Sequence, residues 1–284
     1  MALAPIFRQV RIVVRGGGDL GSGVVYRLQR AGFPVAVLEL AQPLFVRRGV
    51  AYGAAVYEGS VTVDGITARL VDRIEAAGDV WMAGEVPVLI DPAGAPLAEW
   101  QPTVIVDARM AKRPLDTRLD EAPLVVALGP GFEAGVHCHA VVETNRGHYL
   151  GRVYWQGHAE PDTGIPGQMN GVAALRVLRA PEDGFVRPLR SIGDTVRAGD
   201  IVAEVNGQPV TAKFDGVVRG LIHPTVAVSA GLKIGDIDPR AKVDHCFTIS
   251  EKSLAVGGGV LEAVLVSPAV RHRLGLLPGV ANAT

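Results

Sequence analysis

The sequence predicts an α/β protein in which a domain of parallel strands and helices is followed by a small β-domain. Three observations lead to this prediction. Short runs of β-branched residues recur through the first half of the chain. A glycine cluster follows the first of these runs and opens a stretch with helical periodicity. After Ala180 the pattern changes to short strands separated by Gly-Asp pairs, which is typical of a compact antiparallel β-unit.

The composition indicates a globular protein with a large core. The chain has 284 residues, of which 48% are hydrophobic and 20% are charged, and its net charge is −1. This length is enough for about two domains, and this charge balance predicts neither a nucleic-acid partner nor a membrane partner. Two cysteines exclude a disulfide framework and favour a reducing compartment. Because the sequence shows neither a signal peptide nor a long apolar stretch, we expect a cytoplasmic protein.

The glycine cluster near the start predicts a binding turn. The run Arg11–Arg15 is predicted to be a buried strand, and Val24, Val25 and Leu28 recur at helical spacing beyond the cluster. Strand, glycine turn and helix form the entry to a Rossmann-like domain, in which backbone N–H groups and a helix N-terminus face a phosphate. The candidate cofactor-binding residues of this turn are Gly16, Gly17, Gly18, Asp19 and Gly21.

An acidic residue at the end of the next strand supports the same interpretation. Glu39 ends the run Val35–Leu40 and lies about 20 residues beyond Gly18, where dinucleotide-binding units carry a ribose-binding acid. The spacing G-x-G-x-x-G holds only when it is taken as Gly16, Gly18 and Gly21. The alternative is a tight turn whose glycines serve only to pack the helix against the sheet.

Two adjacent arginines follow the second predicted strand. Arg47 and Arg48 are suited to bind a 2′-phosphate or another anionic group, since a guanidinium matches phosphate geometry. They are equally compatible with solvated positions on the surface.

Further polar residues are predicted at the carboxyl ends of later strands, where α/β sheets bind ligands. The run Thr103–Asp107 ends in an acid, and Lys112 follows it. Asp107 is either a ligand-binding group or a helix N-cap. Nearby, His137 and His139 would share one face of a strand. They are candidates for zinc or ferrous iron with Glu143, for proton transfer, or for ordinary hydrogen bonding, and we predict no metal site.

These residues together predict one polar cleft. Its members would face Gly17 and Gly18, with the basic groups binding an anion and His139 exchanging protons near neutral pH. The predicted cleft residues are Asp107, Lys112, His137, His139, Glu143 and Arg146.

The second half of the chain predicts a separate unit. Pro161–Gly167 is a turn-rich boundary, and a short helix is predicted at Val172–Leu178. The stretch that follows resembles the barrel-sandwich (biotinyl/lipoyl-like) fold. Its hairpin tip, Val205–Gln208, has no lysine, so we expect neither biotin nor lipoate to be attached. The helical pattern Ser250–Val266 contains three glycines, which predict a break or close packing against the first domain. The predicted domains are therefore residues 1–180, 181–240 and 241–284.

Eight segments together carry a resemblance to one family. They are Gly16–Leu20, Phe45–Arg48, Ala55–Gly59, Val106–Ala108, Leu128–Phe132, His139–His148, Gly231–Arg240 and Val256–Ala263. In this order they resemble the accessory proteins of the selenium-dependent molybdenum hydroxylase system, which are related more loosely to xanthine dehydrogenase maturation factors. The resemblance spans nearly the whole chain, from Ile12 to Val266.

This resemblance implies a role in maturing a molybdenum hydroxylase, with that enzyme as client. The expected ligand is a small anionic cofactor, nucleotide-like or molybdopterin-like, and a homo-oligomer is possible. The resemblance carries over no catalytic residues. The alternative function is an NAD(P)-dependent oxidoreductase that uses the same glycine turn, with His139 or Lys112 as proton donor.

Overall fold

The computed structural model describes residues 4–91, 93–94, 96–113, 115–161 and 175–276. Its first strands are β1 (Ile12–Arg15), β2 (Val35–Glu39), β3 (Ser60–Val63), β4 (Ile66–Leu70), β5 (Val86–Ile90), β6 (Val104–Asp107), β7 (Leu124–Leu128), β8 (Glu133–Ala134), β9 (Ala140–Val142), β10 (Val153–Tyr154) and β11 (Gly157–His158). The later strands are β12 (Val177–Arg179), β13 (Gly184–Pro188), β14 (Thr195–Val196), β15 (Ile201–Val205), β16 (Gln208–Thr211), β17 (Gly216–Leu221), β18 (Ala227–Val228) and β19 (Lys233–Asp238). The helices are α1 (Asp19–Arg30), α2 (Ala55–Glu58), α3 (Ala77–Met82), α4 (Pro96–Trp100), α5 (Glu251–Val266) and α6 (Pro268–Arg273).

A mixed and mostly parallel sheet forms the centre of the first half. Among the described residues it has nine strands in the order β10-β9-β7-β6-β1-β2-β5-β4-β3. Neighbouring strands from β9 to β4 are parallel, and the hairpin partners β10 and β3 run antiparallel at the two edges. The chain proceeds from β1 to β2 on one side and returns to β6 on the other. This reversal opens a crevice beyond the carboxyl end of β1.

Helices cover both faces of this sheet. The side chains of β1 alternate, so that Val14 packs with α1 and α5 on one face while Val13 packs towards α3 and α4 on the other. The first face is built on buried aliphatic residues, including Val24 of α1 and Val260 of α5. A sheet buried on both faces explains why its strands are continuous apolar runs in the sequence. None of the described helices is long and apolar enough to cross a membrane.

The second half contains a smaller β-unit. Its strands form two antiparallel four-stranded sheets, β12-β19-β17-β14 and β16-β15-β13-β18. The two sheets enclose their own core, in which Val202, Val218 and Ile234 are fully buried. The hairpin tip between β15 and β16 is Asn206–Gly207, and both residues have positive φ as a tight two-residue turn requires. The predicted change from an α/β pattern to an antiparallel β pattern is confirmed.

Predictions for the connecting segments had mixed outcomes. The predicted boundary Pro161–Gly167 lies outside the described residues except for Pro161, and so do residues 172–174 of the helix predicted at Val172–Leu178. The end of that helix prediction is wrong, because Val177–Arg179 is strand β12 and pairs with β19. Here the pairing partner far along the chain overrides the local periodicity.

Helix α5 packs against α1 at glycines. Ser250 caps α5, because its side chain accepts a hydrogen bond from the Ser253 N–H. A Cβ at Gly257 would overlap the carbonyl oxygen of Gly23 and would lie 2.7 Å from its carbonyl carbon. A Cβ at Gly23 would overlap the Ser253 carbonyl oxygen in return. The glycines of α5 therefore allow close approach of two backbones and do not break the helix.

We expect Gly257→Ala to lower the free energy of unfolding by about 1–3 kcal/mol, because the added methyl group forces the two helices apart. The matched control is Gly258→Ala on the same helix, where an added Cβ meets nothing within 4 Å. That variant should gain up to about 1 kcal/mol from helix propensity. Urea unfolding of both variants measures the difference, and equal effects at the two positions would contradict the packing argument.

Candidate functional site

A cavity of about 580 Å³ lies in the crevice beyond β1. This volume is in the range of small-molecule sites, and its position is the one where open α/β sheets bind ligands. Its walls come from the ends of four neighbouring strands. Described lining residues are Arg15, Gly16, Gly18, Asp19, Leu20, Gly21, Leu38, Glu39, Leu40, Pro43, Leu44, Phe45, Asp91, Ala108, Arg109, Met110 and Leu115.

The glycine turn is held in place by Glu39. The Gly17 N–H donates to Glu39 Oε2 at 2.7 Å, and the Leu40 N–H donates to Oε1 at 2.8 Å. Burial raises the pKa of the Glu39 carboxyl, against the lowering effect of these two hydrogen bonds. The carboxylate predicted to bind a ribose therefore already anchors the turn between β1 and α1.

The four glycines of the turn differ in their surroundings. A Cβ at Gly17 would lie 2.6 Å from the backbone nitrogen of Gly53, and one at Gly21 would overlap the carbonyl oxygen of Gly16. Gly16 itself has φ +95°, which favours glycine. A Cβ at Gly18 would instead meet only the Phe45 side chain, at an ordinary 3.8 Å. Gly18 is therefore the one glycine of the four that local packing and backbone conformation do not require.

The two predicted anion-binding arginines are bound by protein groups. Arg47 Nη1 pairs with Asp19 Oδ2 at 2.5 Å, and its Nη2 donates to the carbonyl oxygen of His245 at 3.2 Å. Arg48 Nε donates to the Leu221 carbonyl oxygen at 2.8 Å and links this segment to the β-unit. Neither arginine is among the described lining residues. Both arginines are held by protein acceptors from distant segments, so their positions do not support the predicted role in binding an anion in this cavity.

Two other arginines line the cavity. Arg15, the last residue of β1, forms an ion pair with Glu121 at 2.9 Å. Arg109 donates to Asp107 at 2.7 Å and to Asp116 at 2.6 Å. Burial would lower the pKa of Arg109, but these carboxylates outweigh burial and raise it. Neither arginine is among the residues predicted from the sequence, although each lies at or just after the carboxyl end of a strand.

Asp107 is a supporting residue. It is fully buried, and Thr117 Oγ1 donates to its Oδ2 at 2.6 Å. It also accepts from the Arg109 backbone N–H at 3.0 Å. Since no helix follows it within the described residues up to Arg113, the N-cap alternative does not apply. Asp107 instead holds the side chain of Arg109, which lines the cavity.

The segment that contains His137 and His139 is not part of the described cavity lining. His137 is in a turn and accepts from the Glu133 N–H, so the expected shared strand face with His139 is wrong. The Val125 N–H donates to His139 Nδ1 at 3.0 Å, and burial lowers the pKa of His139. Glu143 is buried and accepts two backbone N–H groups, while Arg146 pairs with Glu251.

The predicted single polar cleft is therefore not formed around the glycine turn. The described cavity lining does not include Lys112, His139, Glu143 or Arg146. His139 and Glu143 accept backbone N–H groups and Arg146 pairs with Glu251, so these three side chains have protein partners outside the described cavity lining. Within the described residues, no group of three or more His, Cys, Asp or Glu side chains is arranged to hold a metal ion.

Comparison with known proteins gives one clear relative. No family model matches the chain. YqeB of Escherichia coli (strain K12), an uncharacterized protein, is 47% identical over 255 residues, which are 90% of this chain and 47% of YqeB. This identity over most of the chain makes the two proteins homologues. The chain spans about half the length of YqeB.

Similarity to solved structures is weak. An aspartoacylase family protein from Mesorhizobium loti aligns over 83% of this chain and 85% of its own, with 9% identity and a TM-score of 0.24. A succinylglutamate desuccinylase/aspartoacylase from Rhodobacter sphaeroides aligns over 81% of this chain and 85% of its own, with 14% identity and a TM-score of 0.25. These scores are too low to support a conclusion about fold or function.

The anchoring carboxyl of Glu39 predicts a pH effect on stability. Its pKa is raised in the folded state, so the folded protein binds this proton more tightly than the unfolded chain does. The folded protein therefore loses stability relative to the unfolded chain as the pH rises from the ordinary pKa of 4.5 through the raised value. We expect the stability of the wild-type protein relative to Glu39→Gln, which cannot ionise, to fall over this window.

Urea unfolding of both proteins at a series of pH values measures this difference, since the other titrating groups are common to both. A difference that stays constant or increases with pH would contradict the raised pKa.

Proposed function

We propose that the chain is an accessory protein for the maturation of a molybdenum hydroxylase, and that it binds a nucleotide-like or molybdopterin-like anionic cofactor in the cavity over Gly18. The observation that carries the binding proposal is the freedom around Gly18. A glycine that neither packing nor φ requires, at a cavity wall and at the start of a helix, fits a position where a ligand approaches the backbone.

The strand order supports a Rossmann-like assignment for the first half. The parallel strands run β5, β2, β1, β6, β7 and β9 across the middle of the sheet, which is the order of a doubly wound dinucleotide-binding fold. Helix α1 begins at Asp19, and its N-cap residue is Gly18, which offers no side-chain hydrogen bond. Its first N–H groups have no intrahelical acceptors, so an anionic group of the ligand can accept hydrogen bonds from them.

The maturation role is supported by the resemblance of the eight sequence segments to molybdenum hydroxylase accessory proteins. One of these segments, Gly16–Leu20, lines the cavity, and another, Phe45–Arg48, contributes Phe45 to it. The homologue YqeB does not indicate an activity for this chain, because YqeB is itself uncharacterized. The client would be a molybdenum hydroxylase whose cofactor is bound before insertion.

The β-unit is proposed to be a barrel-sandwich hybrid with a structural or docking role. Two four-stranded sheets around one core are consistent with that fold. Attachment of biotin or lipoate requires a lysine at the hairpin tip, and here the tip is Asn206–Gly207. We therefore do not propose a swinging-arm carrier.

The alternative is an NAD(P)-dependent oxidoreductase that uses the same cavity. It shares the glycine turn and the strand order with the first proposal. Its expected proton donors, His139 and Lys112, are not among the described lining residues. This observation favours the binding role.

We expect Gly18→Val to reduce binding of the cofactor at least about tenfold, because the side chain extends into the cavity while the backbone accepts it. The panel is NAD, NADP, ATP and molybdopterin, measured by calorimetry on the wild-type protein and on the variant. The matched control is Gly78→Val in α3, where an added Cβ meets nothing within 4 Å. Absence of binding to every compound, or equal binding by folded Gly18→Val, would contradict the proposal.

Deletion of the gene tests the maturation role in a host that makes the hydroxylase. We expect both the molybdenum content and the activity of the client enzyme to fall, since its cofactor would not be delivered. Complementation with the wild-type gene should restore both, and complementation with Gly18→Val should not. Normal loading and activity in the deletion strain would rule out an essential maturation role and favour the oxidoreductase.

A further inference from the structure

One oxygen of Asp91 at the cavity wall has no partner. Asp91 follows β5, and its Oδ1 accepts from the backbone N–H groups of Ala93 at 3.1 Å and Gly94 at 2.9 Å. Its Oδ2 is buried and has no hydrogen-bond partner among the described residues. Buried polar atoms are nearly always hydrogen-bonded, so an orphaned carboxylate oxygen on a residue that lines a cavity points to a missing donor. The ligand would supply that donor.

Asp91 and Glu39 lie on neighbouring strands but differ in their contacts. Both oxygens of Glu39 accept backbone N–H groups of the glycine turn and its neighbouring strand end. Asp91 uses one oxygen to fix its own turn, and it is joined to the Glu39 strand end by its N–H, which donates to the Glu39 carbonyl at 3.1 Å. The acid that remains available to select a ligand is therefore Asp91.

The surroundings indicate the chemistry of the group that Asp91 meets. The cavity wall near the end of β2 is apolar, with Leu40, Pro43 and Leu44 among its residues. Apolar walls of this kind suit a flat ring, and an ionised carboxylate only accepts hydrogen bonds. A fused heteroaromatic ring that carries an exocyclic amino group satisfies both conditions. Adenine and pterin are two such rings.

We propose that Asp91 is the specificity-determining residue of this cavity, and that its Oδ2 accepts a hydrogen bond from an exocyclic amino group on the ring of the ligand. This inference rests on the proposed function, because it requires that the cavity over Gly18 binds a cofactor. It selects amino-bearing rings over oxo-bearing rings, whose carbonyl oxygen would face the carboxylate.

Two pairs of compounds test this selection by calorimetry. ATP and ITP differ in the 6-amino group of the purine, and 6-carboxypterin and 6-carboxylumazine differ in the 2-amino group of the pterin. We expect the wild-type protein to bind the amino member of at least one pair about tenfold or more tightly, since a mismatched buried acceptor is left unpaired. The pair that shows selection identifies the ring as a purine or a pterin.

The variant Asp91→Asn tests the role of the Oδ2 atom, because it replaces this oxygen with an amide nitrogen. The asparagine Oδ1 keeps the hydrogen bonds to Ala93 and Gly94, while a donor replaces the orphaned acceptor. In this variant the preference should disappear or reverse towards ITP or the lumazine. The control with the same change of charge is Asp72→Asn, at an exposed position outside the cavity lining, which should leave the preference unchanged.

The outcomes separate the two proposals. Binding without any amino preference, or a preference that survives in Asp91→Asn, would overturn the role of Asp91 and leave the cavity as a binding site. A uniform loss of affinity for both members of a pair in Asp91→Asn would also overturn it, since that result indicates a hydroxyl contact common to both. Absence of all binding in the wild-type protein would overturn the proposed function and this inference together.

Discussion

Close backbone approach around helix α1 is the constraint on which the rest of the structure depends. Gly17 packs against Gly53, Gly21 against the carbonyl of Gly16, and Gly23 against the first turn of α5. A single methyl group at any of these positions would force backbone atoms apart. Because the helix is held this tightly, its N-terminus stays at the sheet edge, and the cavity forms in front of it.

The start of α1 and the segment around Arg47 also contact helix α5 and the β-unit. Asp19, at the start of α1, accepts from Ser253 Oγ of α5 at 2.7 Å and pairs with Arg47. One residue before Arg47, the Val46 carbonyl accepts from the Leu221 N–H of the β-unit at 2.9 Å. Helix α5 and the β-unit are thus attached to the segments that flank the cavity.

Local signals in the sequence were sufficient for much of the fold and for the position of the site. The glycine turn, the Ser250 cap and the change to antiparallel strands each depend on residues close together in the chain. Partners distant in the chain could not be predicted. Arg47 pairs with Asp19 rather than with a ligand, and His139 accepts a backbone N–H from β7. A charged residue near a strand end is therefore a weak predictor of a ligand contact until its protein partners are known.

The composition of the cavity wall indicates how a ligand would be held. Its two arginines, Arg15 and Arg109, are already paired with carboxylates, so they offer positioned donors rather than a strong positive field. Among the described lining residues, the groups that can transfer a proton are the carboxyls of Asp19, Glu39 and Asp91, and each of them accepts a hydrogen bond from the protein. An anion would instead be held by backbone N–H groups at the start of α1, and a ring by apolar side chains. This combination suits a ligand that carries both an anionic group and a ring, which is the class of ligand proposed for this cavity.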